Sequence, residues 1–126
     1  MQKPMGELRT VVNYKDAQFV PYGLQGREQS ELSWHNISFD EKTGSGAFLI
    51  KFDPGAVSID HEHLGFEEYV LLEGDLTDHD GYRYKVGDVV SLPSGSRHNT
   101  VSENGAIAAV FVREGFRTLD EGEDMP

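Results

Sequence analysis

The sequence has no cysteine among its 126 residues. That excludes a disulfide framework, a thiol nucleophile, a thiol redox switch and any thiolate-bound metal, so a metal here has only imidazole and oxygen to hold it. No apolar run approaches the ~20 residues of a membrane-spanning helix. Residues 1–7 are followed by no apolar stretch of the kind a secretory signal carries, and the expected compartment is the cytoplasm. Positive charge is scarce: 11 Lys and Arg stand against 22 Asp and Glu, a formal net charge of −11. Such a surface repels phosphate backbones and anionic membranes, which argues against nucleic-acid and membrane partners. No long amphipathic helical pattern and no internal repeat is present. The length suits one domain with one modest core.

What the sequence does have is glycine, 14 residues of it, punctuating short apolar segments at fairly even spacing. That is an all-β signature. Residues 46–52 predict a strand with Phe48, Ile50 and Phe52 on one side. Asp53-Pro54-Gly55 turns, and 56–63 follows as a strand with Val57, Ile59, His61 and His63 in register. Residues 67–73 form another strand. A hairpin is expected over 74–86, turning at Asp78-His79-Asp80-Gly81. Residues 89–92 and 106–112 complete the set, the last reading as buried. Val11-Val12 and Phe19-Val20 read as strands at an edge. Residues 1–30 are therefore expected to form an arm that contacts a second subunit, 31–117 a barrel, and the acidic 118–126 a flexible, solvated tail.

The chemistry is concentrated around three histidines. On a helix, residues two apart point to nearly opposite sides; on a strand they share a face, ~7 Å apart along the chain. His61 and His63 can therefore converge on one ion. Leu64-Gly65-Phe66 can turn the chain so that Glu67 returns a carboxylate, with Glu68 as the alternative if the loop shifts by one residue. His98, after Pro93-Ser94-Gly95-Ser96-Arg97, brings a third imidazole. Three imidazoles and a carboxylate suit one divalent ion of iron, zinc, manganese, nickel or copper. Four such ligands on an octahedral ion leave two positions open. Since imidazole must be neutral to bind, occupancy is expected to fall as pH drops through ~6.5. His79, in an acidic turn, reads as an exposed polar residue; His35, beside Trp34, reads as a surface or interface residue, with orientation of a substrate at the barrel mouth as the alternative. If His61 and His63 face inward, so do Val57 and Ile59; if Glu67 does, so do Tyr69 and Leu71. With Phe48, Ile50 and Phe52 opposite, these residues outline an apolar substrate pocket.

Two segments resemble the paired motifs of the cupin superfamily. The first motif, a glycine, His-X-His, a glutamate and a second glycine at fixed intervals, is met by Gly55, His61, His63, Glu67 and Gly74. The second is met by Gly87, Pro93, Gly95 and His98, but its final asparagine is Ser102 here. The resemblance implies a double-stranded β-helix, the jelly-roll barrel. Within the superfamily, the string from Asp53 to Asp78 is similar to the cupin part of ChrR-type anti-sigma factors and to acetylacetone-cleaving dioxygenases. The first likeness implies zinc on His61, His63, Glu67 and His98; the second implies iron on the three imidazoles. The chain offers no room for a separate zinc-bearing helical domain, which argues against a complete anti-sigma factor. Three functions follow from the resemblance. One is an oxygen-dependent enzyme cleaving a small diketone-like or phenolic substrate, with Glu67 as ligand or base and Tyr69 in the pocket. Another is a non-catalytic zinc-binding sensor, and the third an isomerase or lyase for a sugar or organic acid. Pairing of sheet edges implies a homodimer.

Overall fold

The alternating segments become strands of a jelly-roll barrel. The computed structural model describes residues 2–23 and 29–126. Its strands are β1 (Val20–Tyr22), β2 (Gln29–Asn36), β3 (Gly46–Phe52), β4 (His61–His63), β5 (Glu67–Gly74) and β6 (Leu76–Asp78), then β7 (Arg83–Tyr84), β8 (Val89–Leu92), β9 (Arg97–His98), β10 (Thr100–Val101), β11 (Ala106–Val112) and β12 (Phe116–Thr118). The one helix among the described residues is a single turn, Met5–Leu8.

β11 is the spine. Its even-numbered residues Ala106, Ala108, Val110 and Val112 are buried, as alternation requires for a strand with one face on the core. It pairs antiparallel with β3 on one side and β5 on the other, inside a six-stranded sheet ordered β1-β2-β3-β11-β5-β8. Two three-stranded sheets, β10-β6-β7 and β12-β4-β9, complete the barrel. All three sheets contribute to one core, where Phe48, Phe52 and Leu71 meet Leu76 from β6 and the flank of Phe116 from β12. A fully buried side chain such as Leu71 stabilises the fold by ~1.5–3 kcal/mol.

Two expected elements differ. Residues 56–63 are not one strand: only His61–His63 is, and Val57 makes an isolated bridge to Val101 and is 48% exposed. The cause is a change of partner. Gly55 N–H donates to Ser102 O, Ser102 N–H to Ala56 O and Ser58 N–H to Thr100 O, whereas His61 pairs with His98. Between those pairings the chain crosses from one small sheet to another, and the parity that would turn Val57 inward is broken. Ser102, standing where the motif has asparagine, is fully buried and brackets this crossing with its backbone. Val11-Val12 forms no strand either, because Asn13 follows at once with a turn: its Oδ1 accepts from Lys15 N–H and its carbonyl from Asp16 N–H. Val20 does open an edge strand, β1.

The motif glycines have unequal reasons. Gly74 (φ +82°) ends β5 where a Cβ would lie 1.8 Å from Gly105 O, so no side chain fits without moving the backbone. Gly87 (φ +94°) opens into free space. Gly87→Ala therefore meets only the left-handed backbone penalty and is expected to lower unfolding stability by ~1–2 kcal/mol, read as a shift of the urea midpoint at unchanged slope.

Candidate metal centre

Four side chains from three strands converge at one end of the barrel interior. β4 supplies His61 and His63 on one face, with Glu62 between them facing away. β9 is paired to β4 so that His98 lies opposite His61. Glu67 opens β5 directly after the turn, while Glu68 is exposed on the other side. The frame that alternation favours thus brings Glu67, and not its neighbour, to the imidazoles. One ligand atom from each of His61, His63, Glu67 and His98 lies within 4.8 Å of all the others. His63 Nε2 is 3.1 Å from His98 Nε2 and 3.3 Å from Glu67 Oε2. With metal–ligand bonds of ~2.1 Å, adjacent ligands on one ion sit ~3 Å apart, so this spacing fits a shared cation.

The proton positions favour the same use. His61 Nδ1–H donates to Ile59 O at 2.6 Å, which turns Nε2 into a bare lone pair. His98 Nδ1 lies 3.1 Å from Asp78 Oδ1. Asp78 also accepts from Thr100 Oγ1 at 2.8 Å and, on its other oxygen, from the Tyr84 hydroxyl at 2.5 Å. His63 Nδ1 is buried with no hydrogen-bond partner among the described residues.

Burial dominates the electrostatics. It lowers His61 to about 4 and His63 to about 3, helped in each case by the neighbouring imidazoles. Both rings are therefore neutral, metal-binding bases at physiological pH. Burial also pushes the Glu67 carboxyl up to about 7, against the pull of His98. Burial, then the adjacent Tyr84 hydroxyl, keeps Tyr69 protonated. Burial alone would raise Asp78, but the hydrogen bonds from His98, Tyr84 and Thr100 override it and hold the carboxyl below its ordinary value.

A cavity of about 90 Å³ adjoins the cluster, lined by His61, Glu67 and His98 and walled by Phe48, Ile50, Phe52, Ile59 and Tyr69. Leu71, expected on this wall, does not line it. It is fully buried one step further along β5, opposite Ala108, and fills the core. His63 is likewise behind the cavity wall. Tyr22 on β1 and Thr100 on β10 also line the cavity; no sequence pattern marked Tyr22. Asp78 was absorbed into a turn reading, although Leu76 two residues earlier placed it on the inward face.

His35 and His79 stay apart from the cluster: His35 Nδ1 contacts Gln18 O, and His79 Nε2 contacts Pro126 O. The acidic C-terminal segment makes specific contacts on the outer face of the β12-β4-β9 sheet. Glu123 pairs with Arg117 at 3.0 Å and Arg97 at 3.7 Å, and both arginines also pair with Glu62. Arg117 in particular holds the Glu123 carboxyl down at about 2.

A jelly-roll barrel with three imidazoles and a carboxylate facing its interior defines a metal-site cupin. More specifically, the chain belongs to the ChrR cupin-like domain family, which it matches over residues 7–116. Among curated proteins nothing matches it. Among solved structures it is similar to the acetylacetone dioxygenase of Acinetobacter johnsonii, with a TM-score of 0.76 at 17% identity over 93% of this chain and 82% of that one. It is also similar to the polyketide cyclase RemF of Streptomyces resistomycificus, with a TM-score of 0.67 at 17% identity over 92% and 89% of the two chains. The ChrR anti-sigma of Rhodobacter sphaeroides, solved with SigE, gives a TM-score of 0.57 at 22% identity, over 79% of this chain and 51% of that one.

Proposed function

We propose that this cupin is a metal-dependent dioxygenase for a small, enolisable organic substrate of the diketone or phenol kind. The observation that carries the reading is a cluster of three imidazoles and one carboxylate, of which His61, His98 and Glu67 line a small, apolar cavity. His61, His63 and His98 hold the ion, with Glu67 as the fourth ligand. When bound, a ferrous ion supplies open positions for substrate and dioxygen and the redox chemistry between them.

The chain's own residues do the rest. Glu67, at about 7 in the metal-free protein, can take up a proton near neutral pH, so it would serve as the base for the acidic proton of an enolisable substrate. Tyr69 stays protonated and donates a hydrogen bond to a substrate oxygen. The walls of Phe48, Ile50 and Phe52 exclude water and select a flat apolar body. Iron-loaded protein given a panel of β-diketones, flavonols and catechols should consume oxygen with at least one of them, while zinc-loaded protein should not. Silence across the panel with a full iron site defeats the reading.

The four-ligand set and the family membership also favour a second reading, a zinc-holding sensor of a small ligand or oxidant. Zinc has no redox chemistry, so elemental analysis of untagged protein separates the two: iron supports the enzyme, stoichiometric zinc the sensor. Either way the partner is a small molecule in the cavity. A homodimer through the β1 edge fits both readings, with light scattering as its test.

A further inference from the structure

Asp78 is the least expected charge in the molecule. It sits on β6, in a different sheet from the ligand strands β4 and β9, and its side chain is 9% exposed. A buried carboxylate is costly unless donors surround it. Here there are three, on two oxygens. Oδ1 takes the Thr100 hydroxyl at 2.8 Å and faces His98 Nδ1 at 3.1 Å, while Oδ2 takes the Tyr84 hydroxyl at 2.5 Å. Thr100 Oγ1 also lies 3.5 Å from His98 Nδ1, and the Tyr84 ring packs against Tyr69 with centroids 5.6 Å apart. The Thr100 and Tyr84 hydroxyls pin the carboxylate from two sides, leaving one Oδ1 lone pair for the imidazole.

We propose that Asp78 is the positioning residue of the metal centre, fixing the tautomer and ring orientation of His98 so that Nε2 presents a lone pair to the ion. The proposal rests on the metal-centre reading above. An ionised carboxylate can only accept, so the nitrogen facing it must carry the proton of the neutral ring. The other nitrogen, Nε2, is then bare and directed at His63 Nε2, 3.1 Å away. His61 reaches the same tautomer through a backbone carbonyl, Ile59 O. His98 alone of the three obtains it from a charged side chain. Thr100 and Tyr84 are supports of that support.

Asp78→Asn tests this at constant volume. The uncharged amide either turns its NH₂ toward Nδ1, which puts the proton on Nε2 and blocks the ligand atom, or offers its oxygen, an acceptor without the charge that locks the tautomer. With zinc as the probe, the dissociation constant of D78N is expected to rise 10–100-fold over wild type. In the metal-free proteins, nitrogen-15 NMR of the imidazoles should show His98 protonated on Nδ1 in wild type and a population shifted toward Nε2–H in D78N. A merely structural role would change stability and leave the tautomer alone. Tyr84→Phe and Thr100→Val each remove one support and keep the carboxylate, so each should weaken zinc binding by less than D78N while His98 keeps Nδ1–H.

A D78N protein that binds zinc within twofold of wild type, or whose His98 tautomer population is the same as in wild type, overturns the proposal. So does a wild-type His98 protonated on Nε2, an outcome that needs no variant to fold. If wild-type protein binds no zinc, iron or manganese at all, the metal-centre reading fails instead, and the tautomer spectra still decide what Asp78 does to His98.

Discussion

His98→Ala is expected to leave the protein unable to retain a divalent ion through dialysis, with the barrel still folded. The two parts of that expectation have separate grounds. His98 offers Nε2 at 3.1 Å from His63 Nε2 and has Asp78 behind it. Changing an outer-shell partner typically costs 10–100-fold in affinity, and removing a ligand outright costs more. The fold survives because the strand pairing of β9 with β4 is made by backbone groups and because the stranded Asp78 keeps the Thr100 and Tyr84 hydroxyls. Elemental analysis after dialysis reads the metal, and far-UV circular dichroism reads the fold. His35→Ala, on a ring whose Nδ1 contacts Gln18 O away from the cluster, is the control that should retain its metal. Full metal content in H98A would remove His98 from the site.

That the imidazoles were legible in the sequence has a physical reason. Ligands to one ion must share a face, and on a strand sharing a face means spacing by two, which His61 and His63 display directly. Glu67 was separable from Glu68 for the same reason, since only one of two neighbours on a strand can turn inward. Parity fails where a chain changes partner. Val57 was assigned inward by counting back from His61, but the segment leaves its pairing with Thr100–Ser102 before it joins His98, and the count resets. Leu71 keeps its inward parity yet lies beyond the cavity, because parity gives the side of a sheet and not the depth. Asp78 was hidden by its own chemistry. Aspartate followed by His-Asp-Gly is a strong turn signal, and only its position two residues after the buried Leu76 showed that it faced the core. Tyr22 comes from β1, some thirty residues before the motif begins at Gly55, and nothing local to it speaks of the cavity.

Glu67→Gln is expected to flatten the pH dependence of metal binding between pH 7 and 5. The naive expectation puts this dependence on imidazoles titrating near ~6.5. Burial changes which groups compete. His61 and His63, lowered from 6.5 to about 4 and about 3, carry no proton for the ion to displace until the solution is far more acidic. Glu67 moves the other way, from 4.5 to about 7. Below pH 7 the metal-free carboxyl holds a proton that binding must expel, so this one group weakens affinity ~50-fold from pH 7 to 5, the slope approaching tenfold per unit at the acid end. The signs for the metal-free fold are opposite as well. Glu67, raised, contributes stability that is present below 4.5 and lost as pH rises through about 7. His61 and His63, depressed, contribute stability that is present above 6.5 and lost as pH falls toward about 4 and 3. Calorimetric zinc titrations at pH 6 in buffers of different ionisation enthalpy count the protons released. Wild type should release about one more than E67Q, by the linkage that couples ligand deprotonation to binding. Equal counts would mean that the carboxylate stays off the ion, and the centre would then be three imidazoles with a free base beside them.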